Sequence, residues 1–234
     1  MDNYKDQFIS HMVDELQTPL KAILKFSDTL IKNKSDIASQ EKYLKLIHLS
    51  AKNLENIIKD VSDMSNLQNN TISIELNKVN LRDLLSQNFE IFRSKAREKT
   101  IRYSITFGKN LPKFIETDGN RLSQVISNLL SNAIKFTPKD GAVKLEVIFD
   151  QDKSVLKVFV DDNGPGIPDS KKADIFKPFI KDKTNVTFED TRTGLGLSIS
   201  LSIIELLNGK ITFESSEEKG STFNFEIPVK TYDD

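Results

Sequence analysis

An alternating apolar run ends in Asp161-Asp162-Asn163-Gly164-Pro165-Gly166-Ile167-Pro168. The alternation at positions 155–160 predicts a β-strand, and glycines on both sides of a proline predict a turn that approaches another group closely. A carboxylate at a strand end accepts hydrogen bonds from an exocyclic amine, and glycines leave room for a flat base. The stretch therefore predicts a nucleotide-binding turn. An ordinary hairpin turn is the alternative.

A second motif lies upstream, in Asn128-Leu129-Leu130-Ser131-Asn132-Ala133-Ile134-Lys135-Phe136-Thr137. Asn128, Asn132 and Lys135 are spaced by four and three residues, which places their side chains on one face of a helix. Amide oxygens suit a hard cation such as Mg²⁺, and a lysine beside them suits a phosphate. We therefore predict Asn128 and Asn132 as magnesium ligands and Lys135 as a phosphate contact.

A third motif, Thr193-Gly194-Leu195-Gly196-Leu197, precedes a periodic apolar segment. It predicts a glycine turn that enters a helix, whose N-terminal amides can bind an anion. The two glycines are weak evidence alone, because the third glycine and the preceding strand of a dinucleotide fingerprint are missing.

Together with Ile175-Phe176-Lys177-Pro178-Phe179, these motifs resemble the N, G1, F and G2 boxes of the histidine-kinase ATP-binding domain, in the family's order. The resemblance implies that the chain binds ATP with Mg²⁺. Phe176 and Phe179 are more typical of core or lid-anchoring aromatics than of ligand contacts. The candidate nucleotide-binding residues of the boxes are Asn128, Asn132, Lys135, Asp162, Gly164, Gly166, Ile167, Phe176, Thr193, Gly194, Leu195, Gly196 and Leu197.

The polar segment Phe179–Thr193 lies between two of the boxes. Its length without periodicity, inside a compact domain, favours a mobile lid over the phosphates rather than an ordinary surface loop. Relatives usually carry more glycine before Gly194, where this chain has Thr191 and Arg192. This departure implies a less flexible lid or a guanidinium near the γ-phosphate, and we prefer a solvent-exposed arginine.

Composition excludes several other classes of protein. The 234 residues include 33 basic and 34 acidic side chains, so we expect neither a nucleic-acid partner nor direct membrane contact. The absence of cysteine excludes a disulfide framework and a thiolate metal site, and two histidines argue against a histidine cluster. No apolar run is long enough to cross a membrane, and no signal peptide is apparent. We expect a cytoplasmic protein, or the cytoplasmic part of a larger sensor.

Two long helices are predicted at the N-terminus. Residues 2–32 carry an apolar seam, the polar stretch 33–40 breaks the pattern, and residues 41–68 carry a second seam near heptad spacing. They predict an antiparallel hairpin. One hairpin cannot bury both seams, so we expect a homodimer with a four-helix bundle. The alternative is a monomeric hairpin packed on the C-terminal domain.

The pattern changes after a linker at 69–71. Helices are predicted at 81–98, 118–136 and beyond 196. The strands are predicted at 72–76, 101–107, 114–117, 143–149, 155–160, 211–214 and 222–227. Because these elements do not alternate as in a parallel βαβ array, the predicted fold class is α+β. It combines the helical hairpin, residues 1–68, with an α/β sandwich containing a mixed sheet, residues 72–234.

The first helix contains Phe8-Ile9-Ser10-His11-Met12-Val13-Asp14-Glu15-Leu16-Gln17-Thr18-Pro19-Leu20. This is similar to the family's phosphoacceptor box, in which histidine precedes an acid, Leu, Arg, Thr, Pro and Leu. Alignment on Glu15 and Pro19 places Asp14 at the histidine position, and Gln17 replaces the arginine. Pro19 removes one helical hydrogen bond and predicts a kink beside the site.

Three residues compete for the acceptor role. Asp14 is a possible nucleophile because carboxylates form acyl phosphates in other enzymes. His11 lies less than one helical turn away, and we prefer a solvated polar residue to a displaced acceptor there. His48 is expected to be a partly buried packing residue.

Two function classes follow. In the first, the chain is a histidine-kinase core that passes phosphoryl from ATP to the helical domain and on to a response regulator receiver domain, with Glu15 as base or orienting acid. In the second, it is a degenerate kinase. It would then be an ATP-responsive dimeric scaffold, or a response-regulator phosphatase in which, by the resemblance, Thr18 positions water. A helical interaction protein ranks third because it would not need the four boxes.

Overall fold

The computed structural model describes residues 2–32, 37–68, 73–180 and 194–232. The chain divides into two compact units, one comprising Met1–Thr71 and Lys177–Gly196 and the other Ile72–Phe176 and Leu197–Asp234. The domain limits inferred from the sequence, 1–68 and 72–234, stay a prediction.

The first unit contains the predicted helical hairpin. Helix α1 spans Asp2–Lys32 and packs along α2, Ile37–Gln68, and Phe26 stacks on Tyr43 with 5.8 Å between ring centroids. Helix α2 begins four residues before the predicted start at Glu41. None of the helices in the described ranges is long and apolar enough to cross a membrane.

The second unit contains two sheets. Its elements are β1 (Asn77–Asn80), α3 (Leu81–Glu98), β2 (Arg102–Phe107), β3 (Phe114–Thr117), α4 (Gly119–Phe136), β4 (Ala142–Asp150), β5 (Val155–Asp162), α5 (Asp169–Lys172), α6 (Gly196–Leu206), β6 (Lys210–Ser216), β7 (Gly220–Pro228) and β8 (Lys230–Tyr232). The larger sheet has the order β2-β4-β5-β7-β6, and only β2 and β4 are parallel. The predicted mixed sheet is confirmed. Strands β1, β3 and β8 form a separate antiparallel sheet.

The strand predicted at 72–76 is wrong. Residues 73–76 are not in a strand, Ile72 lies outside the described residues, and β1 begins at Asn77. Asn77 pairs with Thr117, the last residue of β3. Beyond it Asp118 leaves the sheet and caps α4, and its carboxylate accepts from the backbone N–H of Glu75 at 3.2 Å. Residues 73–76 therefore have no β3 residue with which to pair.

The core of the second unit lies between the larger sheet and its helices. Val143, Leu145 and Val147 on β4 alternate inward, and α4 buries one stripe of side chains against the sheet. That stripe consists of Leu122, Val125, Ile126, Leu129, Leu130, Ala133 and Ile134. Burial of these apolar side chains fixes the rotation of α4, so its polar side chains emerge on a defined face.

Candidate nucleotide site

Asp162 is the last residue of β5, and the turn after it folds back onto its carboxylate. The backbone N–H of Gly164 donates to Asp162 Oδ1 at 2.8 Å. A Cβ at Gly164 would lie 2.8 Å from that oxygen and 3.1 Å from the carbonyl oxygen of Phe136. Gly166 has a φ of +73°, and its Cβ would clash with the Ser216 carbonyl. The position of Gly166 therefore requires glycine, and a side chain at Gly164 would crowd both the Asp162 carboxylate and the Phe136 backbone.

The β6–β7 hairpin holds this turn from the other side. The N–H of Ile167 donates to Ser215 Oγ at 2.8 Å, and the N–H of Glu218 donates to the Pro165 carbonyl at 2.8 Å. Sequence reasoning missed Ser215, which is 48 positions from Ile167. Ser215 directly follows the strand predicted at 211–214, and a serine at a strand end carries no local signal of such a contact.

The carboxyl of Asp162 is partly buried, and burial raises its pKa to about 6. Backbone N–H groups of Gly164 and Ser221 oppose this rise in pKa because they stabilise the carboxylate, whereas the charge of Asp161 adds to it. At pH 7 the ionised form predominates, and it is the form that accepts hydrogen bonds with both oxygens.

Asn128, Asn132 and Lys135 all lie on α4 and are partly buried, as their shared helical face predicts. Asn128 Nδ2 donates to the buried Ser200 Oγ on α6 at 2.9 Å. This bond uses the nitrogen of the amide and turns Asn128 Oδ1, the possible cation ligand, away from Ser200. Lys135 Nζ lies 5.1 Å from the ring centroid of Phe136.

The other two boxes are described in part. Gly194 has a φ of +72°, and its carbonyl accepts from the N–H of Phe179 at 2.9 Å. Leu195 is buried, Gly196 begins α6, and Leu197 follows in its first turn. Phe176 packs edge-on against Phe213, with ring centroids 5.9 Å apart. Thr193 and the lid residues 181–192 lie outside the described residues, so their roles stay predictions.

The phosphoacceptor-like segment lies within α1, which continues through Pro19. Asp14, His11 and Thr18 are exposed and Glu15 is partly buried. Thr18 Oγ1 donates to the Asp14 carbonyl at 3.2 Å. The His11 ring lies 5.3 Å from the ring of Phe179, at 37°. The side chain at position 14 therefore points away from the interior of the hairpin.

The expectation for His48 is wrong, because this residue is exposed. Its apolar neighbours in sequence, Ile47 and Leu49, led to that expectation. Adjacent residues in a helix are rotated by about 100° from one another, so they need not share an environment.

Two family profiles match the chain. Residues 117–231 match the family described as "Histidine kinase-, DNA gyrase B-, and HSP90-like ATPase", and residues 4–70 match "His Kinase A (phospho-acceptor) domain". The circadian input-output histidine kinase CikA of Synechococcus elongatus is 34% identical over 97% of this chain. The chain spans 30% of the length of that relative.

Solved structures of histidine kinases are also similar to this chain. Full-length ShkA in complex with AMPPNP has a TM-score of 0.73 and 27% identity over 98% of this chain and 47% of that one. The catalytic domain of histidine kinase ThkA is 35% identical, with a TM-score of 0.57, and the match covers 66% of this chain and 95% of that domain. ThkA in complex with the response regulator TrrA has a TM-score of 0.72 and 28% identity over 95% of this chain and 61% of that one.

The raised pKa of Asp162 predicts a pH-dependent stability difference for Asp162→Asn. A carboxyl whose pKa rises on folding stabilises the fold below its unfolded pKa, and that contribution is lost as pH rises through about 6. Asparagine does not titrate, so relative to wild type the variant should gain about 1.4 kcal/mol between pH 5 and pH 8. Urea unfolding at both pH values measures this, with the exposed Asp152→Asn as control. A gain no larger than that of the control would contradict the burial of this carboxyl.

Proposed function

Because the chain belongs to the histidine kinase family, we propose that it binds Mg-ATP in its second unit and acts as a phosphotransfer core of two-component signalling. The observation that carries the proposal is the partly buried Asp162 carboxylate at the end of β5, held by backbone N–H groups and flanked by a turn that requires glycine. Such a rigid acceptor suits the exocyclic amine of adenine.

The polar face of α4 supports the phosphate end of the proposal. Asn132 and Asn128 Oδ1 are oxygen ligands of the kind that Mg²⁺ prefers, and Lys135 would pair with a phosphate. Bound Mg²⁺ would neutralise charge on the phosphates. By family resemblance, the Gly194–Gly196 turn would add backbone amides. ShkA, solved with AMPPNP, is a relative that binds such a nucleotide.

Adenosine binding tests the role of Asp162 without interference from phosphate titration. If the ionised carboxylate is the acceptor, the affinity should fall about tenfold from pH 8 to pH 5, because only about a tenth of a group with a pKa of about 6 is then ionised. Calorimetry measures the dissociation constant at both pH values. Asp162→Asn should bind weakly at both, since it loses the charge-assisted acceptor. If wild-type protein gives no heat of binding at millimolar Mg-ATP, the assignment of a nucleotide site is contradicted.

The hairpin supports dimerisation. Its surface exposes Ile9, Val13, Leu20, Leu24, Leu44 and Ile58. These apolar side chains lie along both helices, and pairing two hairpins into a four-helix bundle would remove them from water. We expect light scattering to give about twice the chain mass of 26.5 kDa. A monomer at all practical concentrations would contradict the proposed bundle.

We further propose that the helical unit accepts and passes on the phosphoryl group. Asp14 occupies the acceptor position on the exposed side of α1, with Glu15 beside it as base or orienting acid. A response regulator would receive the phosphoryl group, and ThkA, which was solved with the response regulator TrrA, is a relative that supports such a partner. The second candidate is a degenerate kinase that acts as an ATP-responsive scaffold, or as a regulator phosphatase through Thr18. Asp14 and Gln17 favour it, because both depart from the acceptor box.

Asp14→His separates the two candidates. Positioning dominates phosphoryl transfer, so a correctly built site that lacks only an imidazole should gain autophosphorylation when one is supplied. We expect little or no label from γ-labelled ATP in wild type and a large increase in Asp14→His. The label should survive base and be lost in acid, as for a phosphohistidine.

Asp28→His is the matched control, because Asp28 is also an exposed acid on α1 and lies fourteen residues, or nearly four turns, further along. It should take up no label. An Asp14→His protein that binds ATP and dimerises without labelling would favour the degenerate kinase. A base-labile label on wild type that hydroxylamine also releases, and that is absent from Asp14→Asn, would instead identify Asp14 as a nucleophile.

A further inference from the structure

We infer that Lys99 is a positioning residue for the phosphate end of the nucleotide site. Its ammonium holds the last turn of α4, which carries Lys135 and directly follows Asn132, beside the turn that follows Asp162. The inference rests on the proposed function. No motif in the sequence includes Lys99.

The hydrogen bonds at the end of α4 show what Lys99 does. The last carbonyls of a helix lack partners within it, and here the N–H of Thr137 donates to the Ala133 carbonyl at 3.0 Å. Lys99 Nζ donates to the carbonyls of Ile134 at 2.9 Å, Lys135 at 2.8 Å and Thr137 at 2.7 Å. These bonds match the three protons of an ammonium, and a positive charge at a helix C-terminus also interacts favourably with the negative end of the helix dipole.

The position of Lys99 is itself constrained. The residue follows α3, and Thr100 next to it has a φ of 54°. Thr100 Oγ1 donates to Asp140 Oδ1 at 2.6 Å, and the N–H of Asp140 donates to the Lys99 carbonyl at 3.2 Å. The turn after α3 is thus joined to the turn after α4 through both backbone and side chains. The ammonium is partly buried and is presented by a fixed backbone.

The segment that Lys99 holds also borders the nucleotide turn. The carbonyl oxygen of Phe136 would be 3.1 Å from a Cβ at Gly164. Asn163 Oδ1 accepts from the N–H of Ala142 at 2.6 Å, and the N–H of Asn163 donates to the Ala142 carbonyl at 3.2 Å. Residues 136–142 therefore lie between Lys99 and the turn after Asp162.

Loss of the ammonium should affect the two ends of the site unequally. Ile134, Lys135 and Thr137 would lose a charged donor. The last turn of α4 would then fray, which would displace Lys135 and loosen the adjoining turn that carries Asn132. Asp162 has separate supports, because Gly164 and Ser221 donate to it and Ser215 holds Ile167. Binding of phosphate should therefore suffer more than binding of adenine.

The test compares Mg-ADP with adenosine by calorimetry at pH 8, below the unfolding temperature of every variant. Lys99→Met keeps the aliphatic stem but removes the donors. It should weaken Mg-ADP at least tenfold and adenosine less than twofold. Lys99→Arg keeps a charged donor with a different geometry and should recover part of the Mg-ADP affinity. Lys95→Met is the control, an exposed lysine one turn earlier on α3, and should change neither affinity.

Equal weakening of both ligands by Lys99→Met would overturn the inference, since a general loss of folding would act on the whole site. Unchanged Mg-ADP affinity would overturn it as well. If Lys99→Met does not fold, Lys99→Arg decides, because a smaller loss confined to Mg-ADP supports the role and an equal loss contradicts it. Failure of the proposed function looks different: wild type would bind neither Mg-ADP nor adenosine.

Discussion

Crowding at the end of β5 is the constraint on which the second unit depends. The turn after Asp162 lies against the end of α4 at Gly164, where a Cβ would be crowded, and against the β6–β7 hairpin at Gly166, where a Cβ would clash. The same crowding limits the access of water to the Asp162 carboxyl and raises its pKa. Steric fit and electrostatics at this site therefore have one origin, and a change that loosened the turn would alter both.

Helix α4 serves the core and the site at once. Its apolar stripe packs on the sheet, which leaves Asn128, Asn132 and Lys135 on the remaining face. Its N-terminus is capped by Asp118, whose carboxylate accepts from the N–H groups of Asn120 and Arg121, both at 3.1 Å. Its C-terminus is completed by a lysine from another segment. The helix is thus held at both ends, and a rigid helix orients ligand-binding side chains more accurately than a loop does.

The helical unit differs from the second unit in how many of its apolar side chains are buried. Among the side chains that the structure describes, its hairpin has few buried apolar ones, such as Ile57 and Met64, and many exposed ones along both helices. Asp14 lies on the surface of α1, where substitution has little effect on packing. At this exposed position, exchange of a carboxylate for an imidazole would therefore change the chemistry available at the helix without requiring a different fold.

Local patterns in the sequence determined most elements and the candidate residues. The period of α3 gave its bounds, Leu81–Glu98, and the spacing of the asparagines gave their common face, because both depend only on helical geometry. The strand misplaced at 72–76 and the exposed His48 show the limit of this reasoning, since pairing and burial depend on what lies across the fold. Ser215 and Lys99 reach their partners over 48 and 35 to 38 positions. Only the tertiary structure could assign those contacts, because no local pattern specifies which backbone groups remain unpaired after the chain folds.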